Sequence, residues 1–118
     1  NIIRQGIPYG SIEIIGQLLD APVKDILDIL RLPQTTYNKK KRDNLMLTGR
    51  ESEIILSIIE LVDFGNLVFN NEEKKFQRWL KKPNISLANA SPDSLLDSST
   101  GIQEVMNCLN RLESGNLA

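Results

Sequence analysis

Residues 23–43 read VKDILDILRLPQTTYNKKKRD, and this stretch predicts two short helices separated by a tight turn. The first eight residues place four apolar side chains on one helical face, at Val23, Ile26, Leu27 and Leu30. The triplet at 31–33 ends in proline and breaks that helix, and a second helix begins at Gln34 and continues to about Asp43. Two short helices joined in this way have the layout of a helix-turn-helix.

The second of these helices carries the residues that we expect to contact operator DNA. Polar side chains near the start of such a helix reach base edges in the major groove, and here they are Gln34, Thr35, Thr36 and Asn38. Basic side chains further along contact phosphates, and here they are Lys39, Lys40, Lys41 and Arg42. The sequence therefore predicts a DNA-binding surface on residues 34–42.

The basic run also has a simpler interpretation, as a solvated helix face without a partner. Asp25, Asp28 and Asp43 dilute the local positive charge. Arg31 stands in a turn that often needs a positive φ, which glycine adopts without strain. The order of helix, three-residue turn and polar helix start favours DNA binding over this interpretation. A dimer would double the DNA contacts, and we expect a homodimer.

Composition limits the class of protein. The chain has 118 residues, a net charge of −1, no histidine and a single cysteine, Cys108. Histidine is the commonest zinc ligand and the usual general base at neutral pH, so metal and Ser-His chemistry are not expected. We predict no catalytic residue, no cofactor and no bound metal. Cys108 lies at helical spacing beside apolar residues and is expected to pack as a small apolar side chain.

Helical periodicity recurs along the whole chain and no segment alternates as a strand does, so the predicted fold is all-α. We expect a helix-turn-helix bundle over residues 1–66 and a small helical domain over residues 67–118. No stretch has the roughly 20 apolar residues that span a bilayer, and the start of the chain lacks a basic, apolar leader. We therefore expect a cytoplasmic protein without membrane contact.

Cap signals predict where the other helices begin and end. Ser11, Thr48 and Thr100 are the predicted caps of the first helix, a long apolar helix and the last helix. The long helix is apolar on more than one face, which predicts either the hub of the core or a dimer seam. Residues 82–90 are predicted to form a loop, and Gly115 stands where a left-handed cap residue belongs.

The second half offers Trp79 and the C-terminal tail as candidate contacts with a partner. Trp79 follows Phe76 by one helical turn, so a core position is the simpler interpretation and an interface anchor is the alternative. The tail of Asn116, Leu117 and Ala118 follows the helix stop and is presented outward, although the last residues of a chain commonly fray.

Both halves carry residues at a spacing that is typical of one family. In the first half these are Leu30, Leu32, Thr36, the basic run, Leu47 and the Glu51-Ser52 pair. In the second half they are Phe69, Trp79-Leu80, Pro83, Leu87, Ser91-Pro92, Leu95-Leu96, Gly101, Val105, Leu109, Arg111, Gly115 and Ala118. Over residues 6–118 the chain resembles the Xre/MbcA/ParS antitoxins, the partners of RES-domain toxins.

This resemblance implies a function that composition alone does not reveal. A family member neutralises a RES-domain toxin that depletes NAD, by covering the entrance of the toxin's active site, and the complex represses its own operon. Carried over by position, Thr36 and the run at 39–42 lie in the DNA-binding helix. The implied toxin-binding residues are Trp79, Leu80, Arg111, Ser114, Gly115, Asn116, Leu117 and Ala118.

Three positions depart from the family's pattern. Arg31 stands where glycine is common, Thr35 where arginine is frequent, and Ala88-Asn89 where a glycine pair is usual. The first two predict a change in the operator sequence or in the strength of DNA binding. The third lies in the predicted loop and affects toxin neutralisation less.

Two other functions fit the residues. One is a free-standing repressor whose second half only dimerises or senses a ligand. The other is a protein-binding module that keeps the helix-turn-helix as a scaffold, which Arg31 and its acidic neighbours favour. An enzyme is disfavoured, because the sequence offers neither a nucleophile with its base nor a phosphate-binding loop.

Overall fold

The computed structural model describes residues 6–115, and the fold is all-α, as the sequence predicts. The helices in chain order are α1 (Ser11–Leu19), α2 (Val23–Leu30), α3 (Gln34–Arg42), α4 (Gly49–Val68), α5 (Glu73–Lys81) and α6 (Ser99–Glu113). Two short 3₁₀ helices, Ile85–Leu87 and Pro92–Leu95, lie between α5 and α6. A two-residue strand β1 (Ile7–Pro8) pairs antiparallel with β2 (Met46–Leu47). The ladder is too short to produce an alternating pattern in the sequence.

The contacts divide the chain into two units, and the division falls inside α4, between Leu56 and Ser57. The first unit contains α1 to α3 and the small sheet, and the second contains α5, the 3₁₀ helices and α6. The domain bounds predicted from composition, 1–66 and 67–118, stay a prediction.

In the first unit, α1 and α2 bury the apolar faces that their spacing predicts. The buried side chains are Ile12, Ile15 and Leu19 from α1, and Ile26, Leu27 and Leu30 from α2. By contrast, α3 buries only Tyr37. Because a single aromatic ring attaches it to the core, most of the surface of α3 remains open to solvent.

The core of the second unit is formed largely by α5 and α6. Its buried side chains include Phe76 and Leu80 from α5, and Ile102, Val105, Cys108 and Leu109 from α6. Cys108 packs among apolar neighbours as predicted, and burial raises the pKa of its thiol. The thiol therefore stays protonated at neutral pH.

The long helix α4 contributes buried apolar residues to each of the two units. Its buried apolar residues are Ile54 and Ile55 in the first unit, and Ile58, Leu61 and Val62 in the second. The helix thus buries apolar residues within both units, and whether it also forms a dimer seam stays a prediction. None of the helices within residues 6–115 combines the length and the apolar character that crossing a bilayer requires.

Three local predictions are corrected by the structure. Ser11 is the first residue of α1 and not its cap, because the backbone oxygens of Tyr9 and Gly10 accept the first amide bonds. Ser98, two residues before the predicted Thr100, caps α6 by accepting a 3.0 Å hydrogen bond from the amide of Gly101. The predicted loop at 82–90 contains a 3₁₀ helix and a bridge between Asn84 and Ala90.

Candidate functional site

The turn between α2 and α3 has the geometry of a helix-turn-helix turn. Arg31 adopts a left-handed conformation with φ 55°, and the amide of Leu32 donates to the oxygen of Leu27 at 2.9 Å. Pro33 is extended and precedes the first residue of α3. The expectation that this turn requires a positive φ is confirmed, and an arginine adopts it in place of the glycine that would carry no strain.

Arg50, from the start of α4, braces the end of α2. Its guanidinium donates to the backbone oxygens of Leu30 at 3.3 Å and Ile29 at 3.5 Å. A cation at a helix C-terminus satisfies free carbonyls and is favoured by the helix dipole. Arg50 therefore helps to position the turn that precedes α3, a role that the sequence did not reveal.

Most residues predicted to contact DNA lie on the open surface of α3. Gln34, Thr35, Asn38, Lys39, Lys40, Lys41 and Arg42 are exposed, and Thr36 is half-buried. The side-chain amide of Gln34 donates to the side-chain oxygen of Asn38 at 3.1 Å, one turn along the helix. Polar groups thus precede basic groups on a helix that is free of core packing except at Tyr37.

Lys41 differs from its basic neighbours because it is paired within the protein. Its ammonium group forms an ion pair and hydrogen bond with the carboxylate of Glu13 in α1. The hydroxyl of Tyr37 donates to the same carboxylate at 3.2 Å, and the ammonium group lies 5.8 Å from the centre of the Tyr37 ring. Glu13, Tyr37 and Lys41 therefore form one cluster between α1 and α3.

The charges in this cluster stabilise each other. The hydrogen bond and the charge of Lys41 lower the pKa of Glu13, and the hydrogen bond that Lys41 donates to Glu13 raises the pKa of Lys41. Burial raises the pKa of Tyr37, and the neighbouring Glu13 adds to that effect. At neutral pH Glu13 and Lys41 are both charged. Lys41, one of the four cations expected to bind phosphates, is therefore paired within the protein.

The other cations of the run are more available. Lys39 and Lys40 form no ion pair with the described part of the chain, and Nε of Arg42 lies 3.8 Å from the carboxylate of Asp43, its neighbour in sequence. Surface pairs of that length contribute little to stability. The available positive charge of α3 is therefore concentrated at Lys39 and Lys40.

In the second unit, Trp79 belongs to a cluster of three aromatic rings. Its ring is stacked on Phe76 with centroids 6.2 Å apart and tilted against Phe69 at 6.0 Å. Trp79 is only half-buried, so one part of the ring packs inward and another part stays accessible. Leu80 is 1% exposed, so any part it has in partner binding depends on packing within the unit.

The end of α6 presents the other residues predicted to contact a toxin. Arg111 is half-buried and its guanidinium donates to Sγ of Cys108 at 3.1 Å. Ser114 and Gly115 are exposed, and Gly115 closes the helix with φ 83°, as predicted for a left-handed cap. Asn116, Leu117 and Ala118 lie outside the described residues.

The turn at residues 84–90 explains why a glycine pair suits this position. Ala88 and Asn89 both adopt left-handed conformations, with φ of 56° and 67°. Glycine adopts such conformations without the steric cost that Cβ introduces. In this chain two residues that have side chains adopt these conformations.

Comparison with known proteins finds similarity to antitoxins. Residues 65–115 match the model of the antitoxin Xre/MbcA/ParS C-terminal toxin-binding domain. Over 97% of its length the chain is 28% identical to an antitoxin Xre of Photorhabdus laumondii, of which it covers 77%. Over 96% of its length it is 29% identical to an antitoxin Xre of Yersinia enterocolitica, of which it covers 76%. It is also 27% identical, over 99% of its length and 79% of the relative, to a protein of Sphingobium named Prs ADP-ribosylating antitoxin.

These similarities support the interpretation of the chain as the antitoxin component of a toxin–antitoxin pair. The C-terminal domain match and the antitoxins named Xre support assignment of the chain to the Xre-family antitoxins, so the resemblance seen in the sequence is confirmed to that extent. A toxin is accordingly the kind of partner that the domain at 65–115 implies.

Proposed function

We propose that this chain is a type II antitoxin that neutralises an NAD-degrading RES-domain toxin and, by binding operator DNA, represses its own operon. The observation that carries the proposal is the match of residues 65–115 to a toxin-binding domain. The name of the Sphingobium relative joins an antitoxin to ADP-ribosylation, a reaction that uses NAD, which agrees with a toxin that acts on NAD. The antitoxin itself has no catalytic role and needs no cofactor.

Neutralisation is proposed to occur by occupancy of the toxin's active-site entrance. Arg111 carries a positive charge near the end of α6, and the chain beyond Gly115 follows a closed helix stop. Covering this entrance would exclude NAD by occupancy alone, without any reaction.

The proposed DNA-binding surface is the exposed side of α3. Its support is the order of a left-handed turn at Arg31, a polar start at Gln34 and exposed lysines at 39 and 40. A helix that buries only Tyr37 offers most of its surface to the major groove. We propose that the cytoplasmic form is a homodimer, which presents two such helices to two operator half-sites.

One observation favours a second candidate, a toxin-binding module that keeps the helix-turn-helix only as a scaffold. The ion pair between Lys41 and Glu13 reduces the charge available for phosphates on a chain whose net charge is −1. This candidate predicts that replacing Lys39, Lys40 and Lys41 by alanine leaves the mobility of operator DNA unchanged. The favoured function predicts weaker binding that depends less on salt.

Co-expression with the product of the neighbouring open reading frame tests the toxin half of the proposal. We expect the two chains to co-purify and the pair to restore growth that the neighbour alone arrests. Deleting residues 116–118 is expected to leave the complex intact while NAD turnover by the toxin returns. Full inhibition after this deletion would reject the proposed plug, and a neighbour that is harmless alone would favour the free-standing repressor.

A further inference from the structure

Ile85 is the large apolar side chain that stands furthest out into solvent within residues 6–115. It is 89% exposed, compared with 64% for Leu67 and 56% for Ile14, which follow it. A single exposed apolar residue is common on protein surfaces and by itself indicates nothing. Whether Ile85 indicates a binding surface depends on the backbone structure around it.

That backbone is a turn closed by six internal hydrogen bonds. The amide of Asn84 donates to the oxygen of Ala90 at 3.0 Å, and the amide of Asn89 donates to the oxygen of Asn84 at 2.9 Å. The side-chain oxygen of Asn84 accepts from the amide of Ser86 at 2.9 Å. Leu87 is buried and anchors the turn. These hydrogen bonds hold the backbone of Ile85 in one conformation. Burial of Ile85 by a partner would therefore cost little conformational entropy.

The turn also holds Ala88 and Asn89 in left-handed conformations, which strain a residue that has a Cβ. A fold retains such a conformation only where its surroundings impose it, and such sites cluster where proteins bind ligands or partners. The strain and the outward Ile85 occur in the same seven residues. A contact between this turn and a partner would account for the strained backbone and for the exposed Ile85.

An open groove lies directly beside the turn. It has a volume of about 310 Å³ and is lined by Ser86, Leu87 and Ala88 of the turn, and by Glu104, Asn107 and Arg111 of α6. Glu104 and Arg111 are seven residues apart on α6, which is about 10 Å along one helix face. They form no ion pair with each other, and Arg111 donates instead to Cys108. The groove therefore presents an anion and a cation on the same face of one helix.

We infer that the turn at residues 84–90 and this groove form a docking surface for the toxin, with Ile85 as its anchor. The surface lies wholly within the span that matches a toxin-binding domain, which identifies the toxin as its occupant. The complementary toxin surface carries an apolar pocket for Ile85, a cation opposite Glu104 and a carboxylate opposite Arg111. This inference rests on the proposed toxin binding and adds a contact separate from the C-terminal tail.

The test compares two isoleucine variants of the full chain. Ile85→Asp places a charge in the proposed pocket, and Ile14→Asp makes the same change at an exposed isoleucine of the other unit. The measurement is the dissociation constant for the purified product of the neighbouring toxin gene. Because anchor residues at interface centres carry at least 2 kcal/mol, we expect Ile85→Asp to weaken binding by about 30-fold or more. Ile14→Asp is expected to stay within twofold.

A second variant, Glu104→Lys, tests the charges of the groove. Reversal of a charge at the rim of an interface mainly changes the association rate and its salt dependence. We expect association to slow several-fold at low salt, with a smaller change in the dissociation rate. The thermal melting temperature of each variant serves as the folding control, since both altered side chains are exposed.

Toxin binding by Ile85→Asp within twofold of the unmodified chain would overturn the inference. It would also be overturned if Ile85→Asp left toxin binding intact and instead shifted the free chain from dimer to monomer, since the turn would then contact a second copy. Failure of the unmodified chain to bind the toxin would refute the proposed function itself, a different result from failure of the anchor.

Discussion

Lys41 in α3 is paired with Glu13 in α1, across 28 residues of sequence. Tyr37, one turn earlier on α3, donates to the same carboxylate and is the only residue of α3 that is buried. The basic run at 39–42 is therefore not a uniform patch. One of its four cations faces a carboxylate of its own protein, while Lys39 and Lys40 remain available.

Replacing Glu13 by glutamine is expected to strengthen DNA binding. The change releases the ammonium group of Lys41, which then becomes available to a phosphate, and each phosphate contact contributes about 0.9 to the slope of log K against log salt. The slope is expected to steepen by about that amount per protomer. Fluorescence anisotropy with an operator duplex between 50 and 200 mM salt measures it.

The matched control is Glu53→Gln, which removes the same charge from an exposed position in α4. It alters the net charge equally but releases no lysine of α3. An equal effect of the two substitutions would contradict a specific role for the Glu13–Lys41 pair.

Alanine substitutions within the basic run are expected to have unequal effects. Lys39→Ala and Lys40→Ala should each lower the salt slope by about 0.9, because both side chains are exposed and form no ion pair with the described residues. Lys41→Ala should change it less. Lys24→Ala in α2 is the control for loss of charge alone. The same titration measures all four variants, and equal slopes for all of them would count against α3 as the DNA-binding helix.

Much of the helix-turn-helix could be predicted from sequence because its signals are local. Apolar spacing defines α2, Pro33 ends the turn, and the positive φ of Arg31 follows from the kind of turn that three residues allow. Gly115 is predictable for the same reason, since a left-handed cap depends on the residue at that position.

Other features depend on choices that local sequence leaves open. Ser98 and Thr100 are both good cap residues two positions apart, and only the packing of the preceding 3₁₀ helix decides between them. The pairing of Lys41 with Glu13 and the bracing of α2 by Arg50 join residues that are distant in sequence, so they follow from how helices pack and not from any motif. The exposure of Ile85 could not be predicted either, because an apolar residue in a loop is usually assigned to the core.

Replacing Ala88 by glycine is expected to stabilise the protein. The left-handed conformation with φ 56° strains alanine by about 1–2 kcal/mol, while the greater freedom of glycine in the unfolded chain costs about 0.4–1 kcal/mol. The free energy of unfolding, measured with urea, should therefore rise by about 0.5–1 kcal/mol. Ala90→Gly is the control, because Ala90 is outside the positive-φ region and should lose stability. The same sign for both changes would contradict the strain argument.

Replacing Gly101 by alanine is expected to destabilise the second unit. An added Cβ would overlap the backbone oxygen of Leu95, and the start of α6 would have to move away from the second 3₁₀ helix. Overpacking against backbone typically costs about 1–3 kcal/mol. Urea unfolding measures the loss. Gly10→Ala is the control, since it meets no atom within 4 Å and has φ −61°, so it should leave stability unchanged or raise it by up to about 1 kcal/mol.

The cellular NAD concentration tests the central claim most directly. It is measured in a host that expresses the neighbouring open reading frame alone, together with this chain, or together with a chain truncated before residue 65, where the toxin-binding domain match begins. The account predicts that NAD falls when the neighbour is expressed alone, returns to the level of untransformed cells with the full chain, and stays low with the truncated chain. An NAD concentration that does not change in the three cultures, or that the truncated chain restores fully, would contradict it.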